Sequence, residues 1–559
     1  MYTAFVRSIE LDDGSPIVRY TSGTTLYEEG MVDSRWVGRY WSPIGRVEPN
    51  PVLGGELVDY SAFGLQIDGQ SLHRGWQFVS FDEKEGERSG QRHAIVTLAH
   101  QVRPVKLRIH TILDGSPVLS RWLEIENTGT APAALSSIMV WSGRIFPCQM
   151  GDSYNSADSV FGYVSGDYSL GYFVDNKHSS EGHFQWHSLG RETVEVSEDS
   201  GKSGWGHPIA YVRDGVAGHM FVAQLAWSGN WAFRVEPKDA TRRDPTKAQP
   251  MLFLRIGPQS PAPMRVIEPG ETITTPQAHI GFRSGDLTDM VQGLHEHHRR
   301  SVYITPPTGS ECLVSYNHWG YMHHEMNEPG LLREIDTAAD VGAEMFIVDA
   351  GWYGKKGQPW GVTGYWKCGE RLPNGLKPAF DYARSRGLKR GLWCWIEAAS
   401  EESTIIQQHP DWLLQRDGHR LNNMLDLTNP EVAAWVEQEI VRIIEEHDLD
   451  LFRLDYNAAP GEGGYTRRHG YDENTIWRHY EAMYPIWKRV RERFPNLILE
   501  NCSGGGGRTD LGMLEHMHYT WFSDYVLAPR TIRMQNGMML ALAPEVLARV
   551  TGVVMNGHL

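Results

Sequence analysis

Cysteine is scarce in this chain of 559 residues. There are five, Cys148, Cys312, Cys368, Cys394 and Cys502. An odd number at wide spacing, with no CxxC and no Cys/His ladder, argues against a disulfide framework and against a structural zinc site. Long apolar runs are missing as well. The opening MYTAFVRSIELDDGS has no apolar signal core. The most apolar late stretch, MMLALAPEVLARVTGVVM, is broken by Pro544, Glu545 and Arg549, which rules it out as a membrane span. With Met1 as the start, a cytoplasmic protein with no membrane partner is expected. Positive charge is in deficit, 53 Lys and Arg against 69 Asp and Glu, for a net charge of -16 spread without acidic runs. A polyanion such as nucleic acid is therefore not an expected partner. His295, His297, His298 and the pair His323–His324 fit no common zinc spacing, and HHEMNE is not HExxH. They read as solvated histidines, and neither a metal nor another cofactor is called for.

What is abundant is tryptophan, 20 residues. Its ring stacks well on the C–H faces of sugars, although large domains bury tryptophans for packing alone. The length suggests about two to four domains and allows a large core. In the first half, Val105–Leu113 alternates Val105, Leu107 and Ile109 with Lys106, Arg108 and His110, and Arg121–Asn127 does the same before the turn-like TGTAP. Period-two runs between turn clusters, continuing to Gly285, predict an antiparallel β-sandwich over residues 1–285. The period then changes. Leu287, Met290, Val291 and Leu294 recur at helical spacing behind Asp286, a plausible N-cap, and TPPTG breaks the chain after it. Residues 286–309 read as a linker helix.

From 310 to 559, apolar strands alternate with amphipathic helices: CLVSYN, MFIVDAG, LKRGLWCW, LDLFRLDYN, LILENC and HYTWFSDY, with helices such as Glu431–His447 between them. Repeated strand–helix units imply a parallel sheet. Asn317, Asp349, Trp395, Asp455, Asn501 and Asp524 fall at the strand ends where a TIM-type (β/α)8 barrel carries its active site. An open doubly wound sheet is the alternative, but no phosphate loop follows an early strand. Two of these residues, Asp455 and Asp524, are carboxylates at the ends of apolar strands, where desolvation is costly. A salt bridge or helix cap explains either one alone. Two on one rim, among tryptophans, fit the carboxylate pair of a glycosidase.

The motifs themselves resemble those of glycoside hydrolase family 36, the alpha-galactosidase family, from about Ser315 onward. FIVDAGWYG resembles that family's second-strand motif, GLWCWIEAAS the third, FRLDYN the fourth, ENCSGGGGRTDLGML the fifth and TWFSDY the sixth, with RLNNMLDLTNPEV between the third and fourth. The resemblance implies a retaining glycosidase in which Asp455 attacks the anomeric carbon. Asp524 would be the general acid/base, with a raised pKa so that it starts protonated. It further implies substrate contacts from Asp349, Trp393, Arg420, Arg453, Asn457, Cys502, Gly505 and Trp521. Arg453 is expected beside Asp455, helping to keep it ionised. The run Gly504–Gly507 lacks the Lys-Ser/Thr of a phosphate loop.

Several positions depart from the family pattern. The adjacent Asp pair that holds the sugar's O4 and O6 in these alpha-galactosidases reads Asp349–Ala350 here, the usual Lys-Trp-Asp reads Arg453-Leu454-Asp455, and Glu-Pro-Glu reads Trp395-Ile396-Glu397. ELVDYSAFGLQID stands where relatives have a Gly-Asp-aromatic-Arg segment that reaches a neighbouring subunit. A homo-oligomer is compatible with the resemblance, but this contact is not expected. The expected activity is hydrolysis of an alpha-galactoside, in an oligosaccharide or glycoconjugate, or of a close relative such as an alpha-N-acetylgalactosaminide. Transglycosylation by the same carboxylates, or a carbohydrate-binding protein with an inactive barrel, are the other readings. Only 35 residues follow Asp524. The stretch RTIRMQNGMMLALAPEV can supply one helix and a seventh strand, so the barrel is expected to lack its eighth strand and a C-terminal β domain, unless MLDL (Met424–Leu427) is itself a barrel strand.

Overall fold

The computed structural model describes residues 3–47, 61–146, 168–239 apart from 191 and 216, 250–354 apart from 312, and 363–548. From Ala4–Glu10 to Gln277–Ser284 the described strands are antiparallel and form one ten-stranded and three four-stranded sheets. Alternation explains why they stack. Val105–Leu113 pairs with Val118–Asn127, and Leu107, Ile109, Leu123 and Ile125 turn inward. There they join Val18 and Tyr20 of the first sheet, Leu65 and Leu135 of another, and Phe233 and Leu254 of the last, in a single apolar core. Burying each such side chain is worth about 1.5–3 kcal/mol. His110 departs from its polar neighbours Lys106 and Arg108. It is buried, stacked on Trp122 at 4.8 Å between ring centres and in contact with His93.

The linker helix runs Leu287–Ser301. Asp286 accepts from the Asp289 amide at 3.0 Å and Asp289 accepts back from the Asp286 amide at 3.1 Å, a capping box that satisfies two otherwise orphaned donors. The histidines on this helix are not solvated, contrary to expectation. His297 contacts Asp114 at 2.7 Å and His279 at 2.9 Å. His298 meets Gln224 at 2.9 Å, and His295 meets the Met539 carbonyl at 2.8 Å. The helix lies between the ten-stranded sheet and the end of the second half, so the face that looks polar in sequence is an internal hydrogen-bonded seam.

Seven strands then pair in parallel and in chain order: Ser315–Asn317, Met345–Val348, Lys389–Cys394, Leu451–Asp455, Ile498–Cys502, Tyr519–Trp521 and Leu547–Ala548. Helices fill the crossovers, the longest being Pro430–His447 and Thr475–Arg493. The six strands read from sequence are all present. The seventh begins just after RTIRMQNGMMLALAPEV, which itself holds the helix Arg530–Met538. MLDL is not a strand of this sheet. Its residues end the antiparallel hairpin Leu413–Arg416/His419–Leu425, which turns at Gly418. Residues 549–559 lie outside the described residues. No helix among the described residues is long and apolar enough to cross a membrane.

Candidate active site

Asp455 ends the fourth parallel strand and is buried. Its carboxylate accepts three hydrogen bonds: Oδ2 from Trp393 Nε1 at 2.9 Å and Asn457 Nδ2 at 2.8 Å, Oδ1 from the Gly504 amide at 2.9 Å. Trp393 comes from the third strand, directly across the ladder from Arg453, and Gly504 from the turn after the fifth. Burial raises the Asp455 pKa above the usual aspartate range, the nearby Asp524 charge adds to this, and the three donors oppose it. An ionisable carboxylate is thus oriented from both sides at the sheet's C-terminal end.

A second buried group lies beside it. Arg453 pairs with Asp349 at 3.3 Å and with Glu500 at 3.0 Å, and its guanidinium lies 4.5 Å from the centre of the Trp521 ring. Asn317 also donates to Asp349 at 2.6 Å. Arg453, expected beside Asp455, does not form an ion pair with it: the side chain is committed to two other acids, and Asp455 is held by neutral donors. Glu500, which no local sequence pattern marks, carries a raised pKa because it is buried, with Arg453 opposing.

Asp524 lies three residues beyond the sixth strand and is partly open to solvent. Oδ1 accepts from Trp521 Nε1 at 2.9 Å, and Oδ2 meets His178 Nε2 at 3.0 Å. The glycine turn joins the two carboxylates. Gly504 holds Asp455, while Gly505 packs so closely that a Cβ there would lie 2.8 Å from the Asp524 amide nitrogen, at a positive φ of 74°. Only glycine fits both demands. Cys502 is buried directly across the ladder from Asp455, with its thiol near the Gly505 carbonyl. Burial pushes that thiol's pKa well up, so it is a neutral group. Arg420 is not gathered into this group; its ion pair is with Glu401 at 2.6 Å.

The N-terminal half supplies residues that no local pattern indicated. Glu181 accepts from Ser523 Oγ at 2.8 Å and from the Gly506 amide at 3.3 Å. Lys202 donates to Ser503 Oγ at 3.2 Å, and Trp205 Nε1 donates to the Gly504 carbonyl at 3.1 Å. Burial, then the Arg508 charge, bring the Lys202 ammonium down to about 8, while Asp455 works in the opposite direction. Two loops of the antiparallel half therefore brace the glycine turn that bears on both carboxylates.

A family model described as Melibiase matches residues 272–559, from the last antiparallel strands through the whole parallel sheet. The chain belongs to the Melibiase family. It is 28% identical to an alpha-galactosidase of Escherichia coli over 341 residues, 60% of this chain and 46% of that one. It is 24% identical to the bifunctional alpha-galactosidase/sucrose kinase AgaSK of Mediterraneibacter gnavus over 482 residues, 84% of this chain and 47% of that one. The chain thus spans about half the length of the curated relatives it matches. The structure of the galactosidase domain of AgaSK superposes with a TM-score of 0.81 at 20% identity, over 97% of this chain and 78% of that one. The GH36 alpha-galactosidase AgaA from Geobacillus stearothermophilus matches with a TM-score of 0.80 at 19% identity, over 95% of this chain and 78% of that one. AgaA variants are known in complex with raffinose and with stachyose. This member of the Melibiase family therefore shares the fold of GH36 alpha-galactosidases across both its halves.

Proposed function

We propose that this Melibiase-family chain is a retaining alpha-galactosidase, with Asp455 as nucleophile and Asp524 as general acid/base, and that its seven parallel strands belong to a (β/α)8-type barrel. The observation that carries the reading is the pair itself. Two carboxylates on the C-terminal rim of one parallel sheet are tied to a single glycine turn, and one is close enough to raise the other's pKa. A buried carboxylate with three donors is pre-oriented for attack, which is what covalent catalysis needs. A more open carboxylate suits a group that gives a proton to a departing oxygen and then takes one from water. In the first step the Asp455–C1 bond forms as the glycosidic C1–O bond breaks, and the Asp524 proton goes to the leaving oxygen. In the second, water adds to C1, Asp455 leaves, and Asp524 takes the water's proton.

Asp349 and Arg453 would meet the sugar hydroxyls, with Trp521 and Trp393 as walls. Arg420 pairs with Glu401 through one guanidinium nitrogen, and its remaining N–H donors would be the ones to meet a sugar hydroxyl. Raffinose- and stachyose-like alpha-galactosides are the natural first substrates, given the AgaA complexes. A second reading, hydrolysis of a related alpha-glycoside such as an alpha-N-acetylgalactosaminide, is favoured by one residue, Ala350, where the family resemblance leads one to expect a second Asp. The test is a screen of nitrophenyl alpha-glycosides with wild type beside Asp455→Ala. The variant should lose turnover and regain part of it with azide, giving a glycosyl azide of inverted configuration. Undiminished hydrolysis by the variant would end the assignment.

A further inference from the structure

The antiparallel half reaches the rim of the parallel sheet at its most exposed reactive group. His178 Nε2 stands 3.0 Å from Asp524 Oδ2, and its other ring nitrogen lies 3.0 Å from Ser179 Oγ. The two side chains are 53% and 42% exposed, so as an isolated surface ion pair this contact would be worth little. It is not isolated. Arg530, at the start of the helix after Asp524, donates to the Ser179 carbonyl. Glu181, three residues after His178, holds Ser523, the neighbour of Asp524. Gly182 lies so close to the helix Arg530–Met538 that a Cβ on Gly537 would strike the Gly182 carbonyl. A loop anchored at residues 179, 181 and 182 therefore presents one imidazole to one carboxylate oxygen, while Trp521 holds the other oxygen.

We propose that His178 is a positioning residue for Asp524, holding the carboxyl at the angle from which it delivers its proton to the leaving oxygen. The inference rests on the reading of Asp524 as the acid/base. With Oδ1 on Trp521 and Oδ2 on His178, rotation about the Asp524 side chain is suppressed from two directions. Without His178 the Trp521 bond is a single tether, and the carboxyl can swing about it. The groups facing His178 are Asp524, when ionised, and Glu181, which favour its protonated form, and Lys202, which opposes it; when Asp524 carries the proton it delivers, a neutral imidazole with its hydrogen on Nε2 still donates to Oδ2, and the Asp175–His183 pair sits on the same loop. Among the described residues, Trp521 and His178 are the side chains that hydrogen-bond the Asp524 carboxylate.

Proton delivery matters in proportion to how poorly the leaving group departs unaided, and this separates positioning from mere folding. kcat/KM reports the steps up to formation of the glycosyl-enzyme, in which Asp524 acts as acid. We expect His178→Ala to lower kcat/KM about tenfold or more on a substrate with a poor leaving group, such as the phenyl glycoside, since general acid catalysis as a whole contributes about 10²–10⁴-fold. On the 2,4-dinitrophenyl glycoside of the same sugar, whose leaving group needs no proton, the loss should shrink to less than about twofold. His178→Gln, which keeps an N–H at a similar reach, should recover part of the loss. An equal loss on both substrates would mean a structural role, and no loss on either would mean that the contact is idle; each overturns the inference while the function stands. A wild-type enzyme inactive on every alpha-glycoside would instead overturn the proposed function, and this inference with it.

Discussion

At the level of single residues, the site is legible where chemistry and strand period coincide. Asp455 and Asp524 stand out because an ionisable group at the end of an apolar strand needs a partner. The partners are another matter. Arg453 looked like a companion of Asp455 because the two are neighbours on one strand, yet Asp349 and Glu500 from flanking strands capture it. Arg420 looked like a substrate donor, yet it bonds Glu401. Sequence separation hides which of several acids an arginine will choose, and long side chains reach across strands. Ala350 gives a test at this scale. It is buried beside Asp349, donating its amide to that carboxylate at 2.8 Å, and it offers no acceptor of its own. Under the proposed function, a sugar hydroxyl that a second carboxylate would have met would face a methyl group here. Wild type should therefore separate an alpha-galactoside from its O4 epimer or 6-deoxy analogue by far less than the ~10⁴-fold a dedicated polar site can supply. Ratios of kcat/KM measured on such a pair decide it, and a ratio near that ceiling would refute the role given to Ala350.

The elements follow from the pattern more fully than their partners do. Period-two alternation identifies strands whichever sheet they join, so Val105–Leu113 and Arg121–Asn127 are read correctly without knowledge of the layers. Apolar runs between helices identify the parallel strands. Order and existence come through, but boundaries less so: the seventh strand, Leu547–Ala548, falls just past the stretch assigned to it. The hairpin at 413–425 shows why a short apolar run is ambiguous. MLDL has the composition of a strand, and only the turn at Gly418 shows that its partner lies immediately before it. The linker helix was legible from Asp286 and the apolar spacing, but the burial of His297 and His298 was not, because polar residues facing a hydrogen-bonding sheet look like polar residues facing water. Its cap can be measured. Asp286→Ala removes one acceptor of the capping box and should cost about 1 kcal/mol of stability, while Asp286→Asn should cost less. Urea unfolding followed by circular dichroism reads this, and equal midpoints for wild type and Asp286→Ala would show that the cap contributes nothing.

For the whole molecule, the buried histidines set a direction for acid stability. Burial depresses His207 to about 3, and His93, His318, His516 and His518 to about 4. His279 and His298, buried in the seam of the linker helix, are likewise lowered well below the ordinary histidine range. In the unfolded chain these groups take up protons near 6.5. Between that value and about 4 the unfolded state therefore binds more protons than the folded one, so stability falls as pH falls through this window. Glu515, raised to about 7 by burial, acts in the opposite sense, as do Glu181, Glu198, Asp455, Glu500 and Asp510, also raised by burial, but the depressed histidines, which include His100, His110, His219 and His295, outnumber them. The melting temperature should be lower at pH 5 than at pH 7; a rise would show that the carboxylates dominate. The braced site has a consequence in time as well. His178 and Asp524 are 346 residues apart, Glu181 and Ser523 are 342, and Lys202 and Ser503 are 301. On a ribosome the antiparallel half emerges first and can fold as a unit, holding out loops whose targets do not yet exist. The carboxylates can be ordered only when the sixth strand arrives, so competence is a late event in the life of each molecule. Refolding from denaturant should accordingly recover far-ultraviolet circular dichroism before it recovers the proposed hydrolysis, with a lag between the two; simultaneous recovery would mean that the reactive centre forms together with the bulk of the secondary structure, against this order.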